Sequence, residues 1–303
     1  MNDIIYLGED LGMGANKIYG AQGGLQMPSQ VAINGQQEFG HLLGLRQQKR
    51  PLHIQTEAGS FFVGEGAHDF GRPVENLDFD RLTGAPEMKV LLYGTLTRWI
   101  QLHGPIQSPV SVMAGLPLQM LSGEEKKTNK ESIKGWVGGI YSWNADGHAY
   151  QIEIINVDST PQPVGALFDH LLNEHGQFIP EHKTGKVEVG ILSVGFNTIE
   201  LLVVRGFELV EKFTAGQTAG VRRLLELVNR DGLYSLGELD AALRAGRLDY
   251  AAALPIWSRE VRGGALLLQD QLSAYFAGKA IFPDDPVLSI ARGLYKLAVM
   301  KAR

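Results

Sequence analysis

The 303-residue chain has no cysteine, which excludes disulfides and thiolate metal sites. It has no long hydrophobic run. Apolar-rich stretches such as Ile199 to Val204 are far too short to span a bilayer. It has no excess of positive charge, since 28 Lys and Arg against 33 Asp and Glu leave a formal net charge of −5. A broad, direct grip on a nucleic-acid backbone is therefore not expected. The start, Met1-Asn2-Asp3, lacks a signal-peptide pattern, so the expected address is cytoplasmic, with no membrane contact. There is no G-x-x-x-x-G-K-[ST] loop, and neither "GLPLQ" nor "ILSVG" forms a G-x-S-x-G nucleophile elbow. His170, His175 and His182 lie near Asp169, Glu174 and Glu181. The spacing puts His170 and His175 off a common helical face, which reads as a solvated helix end rather than a metal site. Trp99, Trp136, Trp143 and Trp257 are scattered and read as core residues.

What is present fits a globular chain of one large or two medium domains: 44% hydrophobic and 20% charged residues, with 37 glycines, many at the ends of apolar runs. Residues 2–8 and 14–21 read as two strands around the turn "EDLGMGANK". Residues 26–33 and 53–64 read as further strands, separated by a polar loop (34–51) with a basic tip at Arg46, Lys49 and Arg50. The apolar spacing of Met88, Leu91, Leu92, Leu96, Trp99 and Ile100 predicts a helix over 86–103. A buried strand is expected at 110–117, an exposed charged stretch at 124–134, a strand at 149–158 and a helix over 162–172.

The most apolar hairpin follows, at 186–206. Helices are then expected at 219–229, 235–246, 249–261, 263–276 and 284–303. The second of these has a capping box, Ser235 with Glu238, and a terminal Gly246. In the third, Pro255 falls near the middle or marks a break. In the last, Asp285 is expected as N-cap and Pro286 as first residue. Strands and helices alternate irregularly, with a hairpin early in each half, so the expected class is α/β in two lobes.

The two glycine hairpins align without a gap. Asp10 falls on Ser193, Gly12 on Gly195, Gly14 on Asn197, Asn16 on Ile199 and Lys17 on Glu200. Such a repeat implies two related lobes. Backbone N–H groups at paired glycine turns can hold a polyphosphate, with an adjacent carboxylate on hydrated Mg²⁺. A glycine hairpin by itself more often only turns the chain. The repeat, and glycines opening a helix at "RGGALLL" (262–268), favour the phosphate reading.

These segments resemble the actin, heat-shock-chaperone and sugar-kinase superfamily, and within it actin-like proteins of the ParM/StbA plasmid-segregation type. The resemblance rests on "DLGMGANK", "FFVGEGAHDFG" (61–71), "VGILSVGFNTIELLVV" (189–204), "GGALLL" (263–268) and "PDDPVLSIARGLYKLA" (283–298), and covers nearly the whole chain. It implies a bilobed actin-like fold, two RNase H-like domains around a nucleotide cleft. The first lobe would be 1–163 with the closing helix 284–303, and the second 164–283. It implies ATP or GTP with Mg²⁺, slow hydrolysis, self-association into filaments, and DNA contact only through an adaptor protein. Asp10 resembles the carboxylate that organises water on Mg²⁺. Gly12, Gly14, Asn16 and Lys17 resemble the first phosphate turn and its exit. Gly195, Asn197 and Thr198 match the second turn, and Gln162 the residue that orients the attacking water. Gly263, Gly264 and Ala265 match the adenosine motif.

Two departures stand out. Ser193 stands where the second motif usually has Asp, which implies weaker metal binding or slower hydrolysis. Glu200 lies on the outgoing strand, where the family often has an acid; taken alone it reads as a strand-face charge. A helix and a strand are missing before Gly263, and Arg262 replaces the usual first glycine. The second lobe is thus expected to be shortened, with an exposed sheet edge or a substitute segment. Two other readings stay open: an actin-like scaffold with little hydrolysis, and a small-molecule kinase of the same superfamily.

Overall fold

The computed structural model describes residues 4–33, 50–76, 78–182, 187–261 and 280–303. The opening hairpin is β1 (Ile5–Leu11) and β2 (Ala15–Gly20), and β3 (Gly23–Pro28) continues it antiparallel. Residues 26–33, expected as one strand, are divided. Pro28 brings no N–H to extend the ladder, and the chain turns at Ser29. It re-enters the same sheet elsewhere as β4 (Val31–Ile33). Residues 53–64 form a hairpin, β5 (Leu52–Thr56) and β6 (Gly59–Val63), with a short β7 (Arg72–Pro73) beside β4. Helix α1 runs Pro86–His103 and buries its expected apolar stripe, with Met88, Leu91, Leu92, Leu96 and Trp99 all in the core.

Strand β8 (Val110–Leu116) is buried along its whole length. The charged stretch after it is helical, α2 (Lys126–Val137). Its charges face water, while Ile133, Trp136 and Val137 are buried. Strand β9 (Gly139–Ala145) pairs with β10 (His148–Pro161), which runs longer than the expected strand, and α3 (Gln162–Leu171) follows directly. The first sheet has the order β3-β2-β1-β8-β10-β9-β5-β6-β4-β7. Its centre, β1, β8 and β10, is parallel.

A second sheet holds β11 (Glu188–Val194), β12 (Ile199–Arg205), β13 (Glu208–Leu209) and β14 (Ala215–Gln217). Among the described residues β11 pairs with β12 alone. Helices α4 (Val221–Val228), α5 (Leu236–Arg244) and α6 (Leu254–Val261) follow. The Ser235–Glu238 capping box forms in both directions. Pro255 is the second residue of α6, a position where its missing N–H costs nothing.

The last helix, α7, spans Ser289–Lys301, starting later than expected. Asp285 caps a preceding turn instead, accepting from the N–H of Val287 (3.1 Å) and Leu288 (3.3 Å). Helix α7 returns to the first sheet and packs on β1, β8 and α3. Its crossing with α3 is backbone to backbone at Gly165 and Gly293.

The four tryptophans are buried, as expected, and each indole N–H finds an acceptor. The acceptors are Gly23 O, Leu82 O, Thr97 Oγ1 and Ala219 O for Trp99, Trp136, Trp143 and Trp257 in turn. His170 and His182 stack ring on ring, with centroids 4.3 Å apart. Among the described residues no helix is long and apolar enough to cross a membrane. The chain is thus a mixed α/β protein of two sheets, bilobed as expected.

Candidate functional site

Strands β1, β8 and β10 end side by side, and in open α/β sheets ligands bind beyond such carboxyl ends. Asp10, Gly115 and Thr160 form one row across these strands. Gly115 leaves the space that Gln162 crosses: a Cβ there would lie 3.3 Å from Gln162 Cγ and 2.8 Å from Leu294 Cδ1. Gln162, the first residue of α3, passes over this gap and donates Nε2 to Asp10 Oδ1 at 2.7 Å. From the other side Lys17, the cross-strand partner of Asp10, donates Nζ to Oδ2 at 2.7 Å. Asp10 is 1% exposed and the Lys17 side chain 21%. Three of the residues singled out in the sequence, from β1, β2 and α3, therefore meet at one carboxylate.

The first turn is fixed from within. Gly12 N–H donates to Asp10 O (2.8 Å), and Ser29 donates its Oγ to Gly12 O (2.7 Å) and its N–H to Gly14 O (3.0 Å). In the second turn Gly195 N–H donates to Thr198 O (2.8 Å). These two glycine N–H groups are spent inside their turns and are not the outward donors expected of them. The start of α4 braces the second turn, Val221 N–H donating to Gly195 O (3.1 Å) and Arg222 N–H to Phe196 O (2.7 Å). Asn197 and Thr198 are buried, and Asn197 Oδ1 accepts from Arg222 Nη1 at 3.3 Å.

Asn16 departs from its expected place at the phosphates. Side chains alternate along a strand, so Asn16 faces away from Asp10 and Lys17, into the α1 side of the sheet. It is buried there, its Oδ1 lying 3.5 Å from Ser29 Oγ. Gly263, Gly264 and Ala265 lie outside the described residues.

Four participants were not anticipated in these roles. Phe196, at the tip of the second turn, packs against the first core. It sits so close to Gly14 that a Cβ on Gly14 would fall 2.5 Å from its own. The two turns therefore touch through a phenyl ring, whose only trace in the sequence is one apolar residue within "VGFNT". Leu118, just after β8, donates its N–H to Glu200 Oε1 at 2.6 Å, joining the two sheets. Glu200 is fully buried, and that burial pushes its carboxyl up to about 7; the Leu118 N–H opposes the rise and Asp10 adds to it.

The fourth is Glu9. It shares its face of the hairpin with Asn16 and is 1% exposed. Neither carboxyl oxygen has a partner, nor does Asn16 Nδ2. Burial, then the charge of Asp10, raises the Glu9 carboxyl well above its ordinary 4.5. The folded chain thus binds this proton more tightly than the unfolded chain, and stability falls as pH rises from the unfolded value toward the folded one. Glu9→Gln is expected to be more stable than wild type at pH 7 by about 1–2 kcal/mol. The gain should shrink to nothing near pH 4 in denaturant titrations run across pH. A loss of stability at pH 7 would mean that Glu9 is held as a carboxylate.

The comparisons agree with this geometry. No curated protein matches the sequence. Among solved structures, apo pSK41 ParM superposes with a TM-score of 0.71 at 16% identity, over 99% of this chain and 98% of that one. The archaeal actin homologue Ta0583 gives 0.72 at 20% identity, over 97% and 99%, and has also been crystallised with ADP. A 15-stranded ParM filament from Clostridium botulinum gives 0.72 at 18% identity, over 98% and 99%. The family described as the N-terminal domain of actin-like proteins matches residues 8–165, more than half of the chain. The protein belongs to the actin-like protein family.

Proposed function

We propose that this chain binds ATP with Mg²⁺ between its two lobes, hydrolyses it slowly and assembles into filaments that serve DNA segregation. The observation that carries this reading is the meeting of Lys17 and Gln162 at Asp10, beside a second glycine turn. GTP would fit the same geometry. The lobes would be 1–163 with 284–303, and 164–283. Filament-forming relatives support self-association. An adaptor would link the acidic chain to DNA, and the setting would be cytoplasmic.

Mg²⁺ takes oxygen ligands and keeps several of its waters. Asp10 fits such an outer role, since its carboxylate is already oriented by two donors. Bound there, the ion would neutralise charge on the phosphate oxygens. The Lys17 side chain, partly exposed, places a cation at the mouth of the first turn. The Gln162 amide, held by Asp10, can orient a water toward the terminal phosphate. Phe196 and Gly14 exclude solvent between the turns. Catalysis of this kind comes from positioning and electrostatics rather than from a covalent intermediate. Gly263, Gly264 and Ala265 would face the base.

A second reading, a scaffold with little hydrolysis, is favoured by Ser193 and by the direct packing of Phe196 on Gly14. The two separate when light scattering and phosphate release are followed together after adding Mg-ATP or Mg-GTP. Scattering that rises with nucleotide and decays as phosphate appears is the expected result. Scattering without phosphate release selects the scaffold. Absence of nucleotide binding by calorimetry overturns the cleft assignment.

A further inference from the structure

The two lobes touch at the glycine turns, through Phe196 and Gly14, and they touch again at the far edge of the first sheet. There a short helical turn, Ala67–Asp69, packs on β4, β6 and β7. His68 of this turn lies against Gly237, in the first turn of α5. A Cβ on Gly237 would fall 2.9 Å from both Cε1 and Nδ1 of the ring, so a glycine is what lets the helix come this close. Gln30 closes the same seam. It donates Nε2 to Gly237 O at 3.3 Å, while its Oε1 accepts from Gly66 N–H at 3.0 Å and its O from Gly64 N–H at 2.9 Å. The residue before it, Ser29, fixes the first glycine turn. On the other side α5 packs on α4, whose start braces the second turn. The seam is therefore joined by short paths to both turns.

Both ring nitrogens of His68 are buried, and among the described residues neither has a hydrogen-bond partner. A neutral imidazole leaves one donor unsatisfied here. An imidazolium would leave two, and would bury a charge as well. The charged groups that act on the ring are Asp69 on its own turn, Glu75 beyond β7 and Glu238 on α5. All three favour the charged form, but they are exposed to water, and Glu238 already accepts from the Ser235 N–H at 2.7 Å. Burial outweighs them and holds the imidazole below its ordinary 6.5.

We propose that His68 is a proton-operated latch between the two lobes, closed over Gly237 while the ring is neutral and released when it is charged. Once released, the ring regains water and its ordinary affinity for the proton. The open state then binds the proton more tightly than the closed one, so closure holds above about pH 6.5 and weakens as pH falls below it. Opening the seam loosens both turns, the first through Gln30 and Ser29, the second through α5 and α4.

The chain has no cysteine, so spin labels can be placed through Glu57→Cys, at the β5–β6 turn, and Leu233→Cys, ahead of α5, both exposed positions. Pulsed EPR then reads the separation of the lobes with no nucleotide present, so the outcome is independent of the nucleotide reading. Between about pH 7.5 and about pH 5.5 the ratio of open to closed molecules should rise several-fold, with a ceiling of about 10-fold. His68→Phe, a ring with nothing to protonate, should stay closed at both. Gly237→Ala should be open at both, because its methyl displaces the ring. A wild-type distance distribution that does not change with pH, or the same change in His68→Phe, would overturn the proposal. Gly237→Ala that stays closed at the higher pH overturns it too, and this variant decides the matter if the phenylalanine variant does not fold.

Discussion

Asp10→Asn is expected to weaken Mg²⁺-dependent nucleotide binding by about 100-fold while leaving the fold intact. Asparagine retains an oxygen for Gln162 Nε2 and removes only the charge. Lys17 then loses its ion pair, but its side chain is 21% exposed and can turn to water, so the structural cost is small. The same substitution should be felt at two other carboxyls. The charge of Asp10 raises both Glu9 and Glu200. Without it Glu200 should titrate below its present value of about 7, which carbon-detected NMR of a labelled glutamate side chain would show. Calorimetry in Mg²⁺ and in EDTA measures the first effect. If binding keeps its Mg²⁺ dependence, Asp10 serves only to tie Lys17 to Gln162.

Gly293→Ala should destabilise the protein by about 3 kcal/mol or more, against the usual benefit of alanine in a helix, about 1 kcal/mol. At the crossing of α3 and α7 a Cβ on residue 293 would lie 1.8 Å from Gly165 O and 2.6 Å from Asp169 N. These are backbone atoms and cannot rotate away, so the helices must separate. Separation pulls apart a buried cluster. Asp169 receives two bonds from Arg292, both 2.6 Å, and one from Lys296 at 2.9 Å. Burial alone would raise the Asp169 carboxyl, but the bonds from Arg292 and Lys296 hold it below its ordinary value. The stability this cluster contributes is present above the unfolded carboxylate value and is lost as pH falls through the folded one. Gly135 on α2 is the control, since a Cβ there would meet nothing within 4 Å. Gly135→Ala should stabilise by about 0.5–1 kcal/mol. Denaturant melts of the two variants should shift in opposite directions, and a shift in the same direction would refute the steric account.

Helix α1 was legible to the residue because one stripe of large apolar side chains is buried along its whole length. The Ser235–Glu238 box was legible because capping is local chemistry. The aligned glycine hairpins led to Asp10 and Lys17, the family resemblance pointed to Gln162, and all three meet in space. What was not legible depends on neighbours distant in the chain. Strand β9 went unread in the sequence, and its pairing with β10 and β5 defines it. Helix α2 looked like an exposed charged stretch, because just Ile133, Trp136 and Val137 face the core. Asn16 was grouped with Lys17 by the family resemblance, although strand alternation sends the two to opposite faces. Glu200 lies where the family often has an acid, but taken alone it read as a strand-face charge, because no sequence pattern shows the N–H of Leu118 arriving from another sheet.

The contact of Phe196 with Gly14 has a consequence for affinity. A ligand entering between the turns competes with the protein's own side chain for that space. Its apparent dissociation constant is the intrinsic one divided by the fraction of molecules in which the ring has moved aside. For the proposed nucleotide, one phenyl ring would thereby set the concentration at which the protein begins to respond, without touching the chemistry of the phosphates.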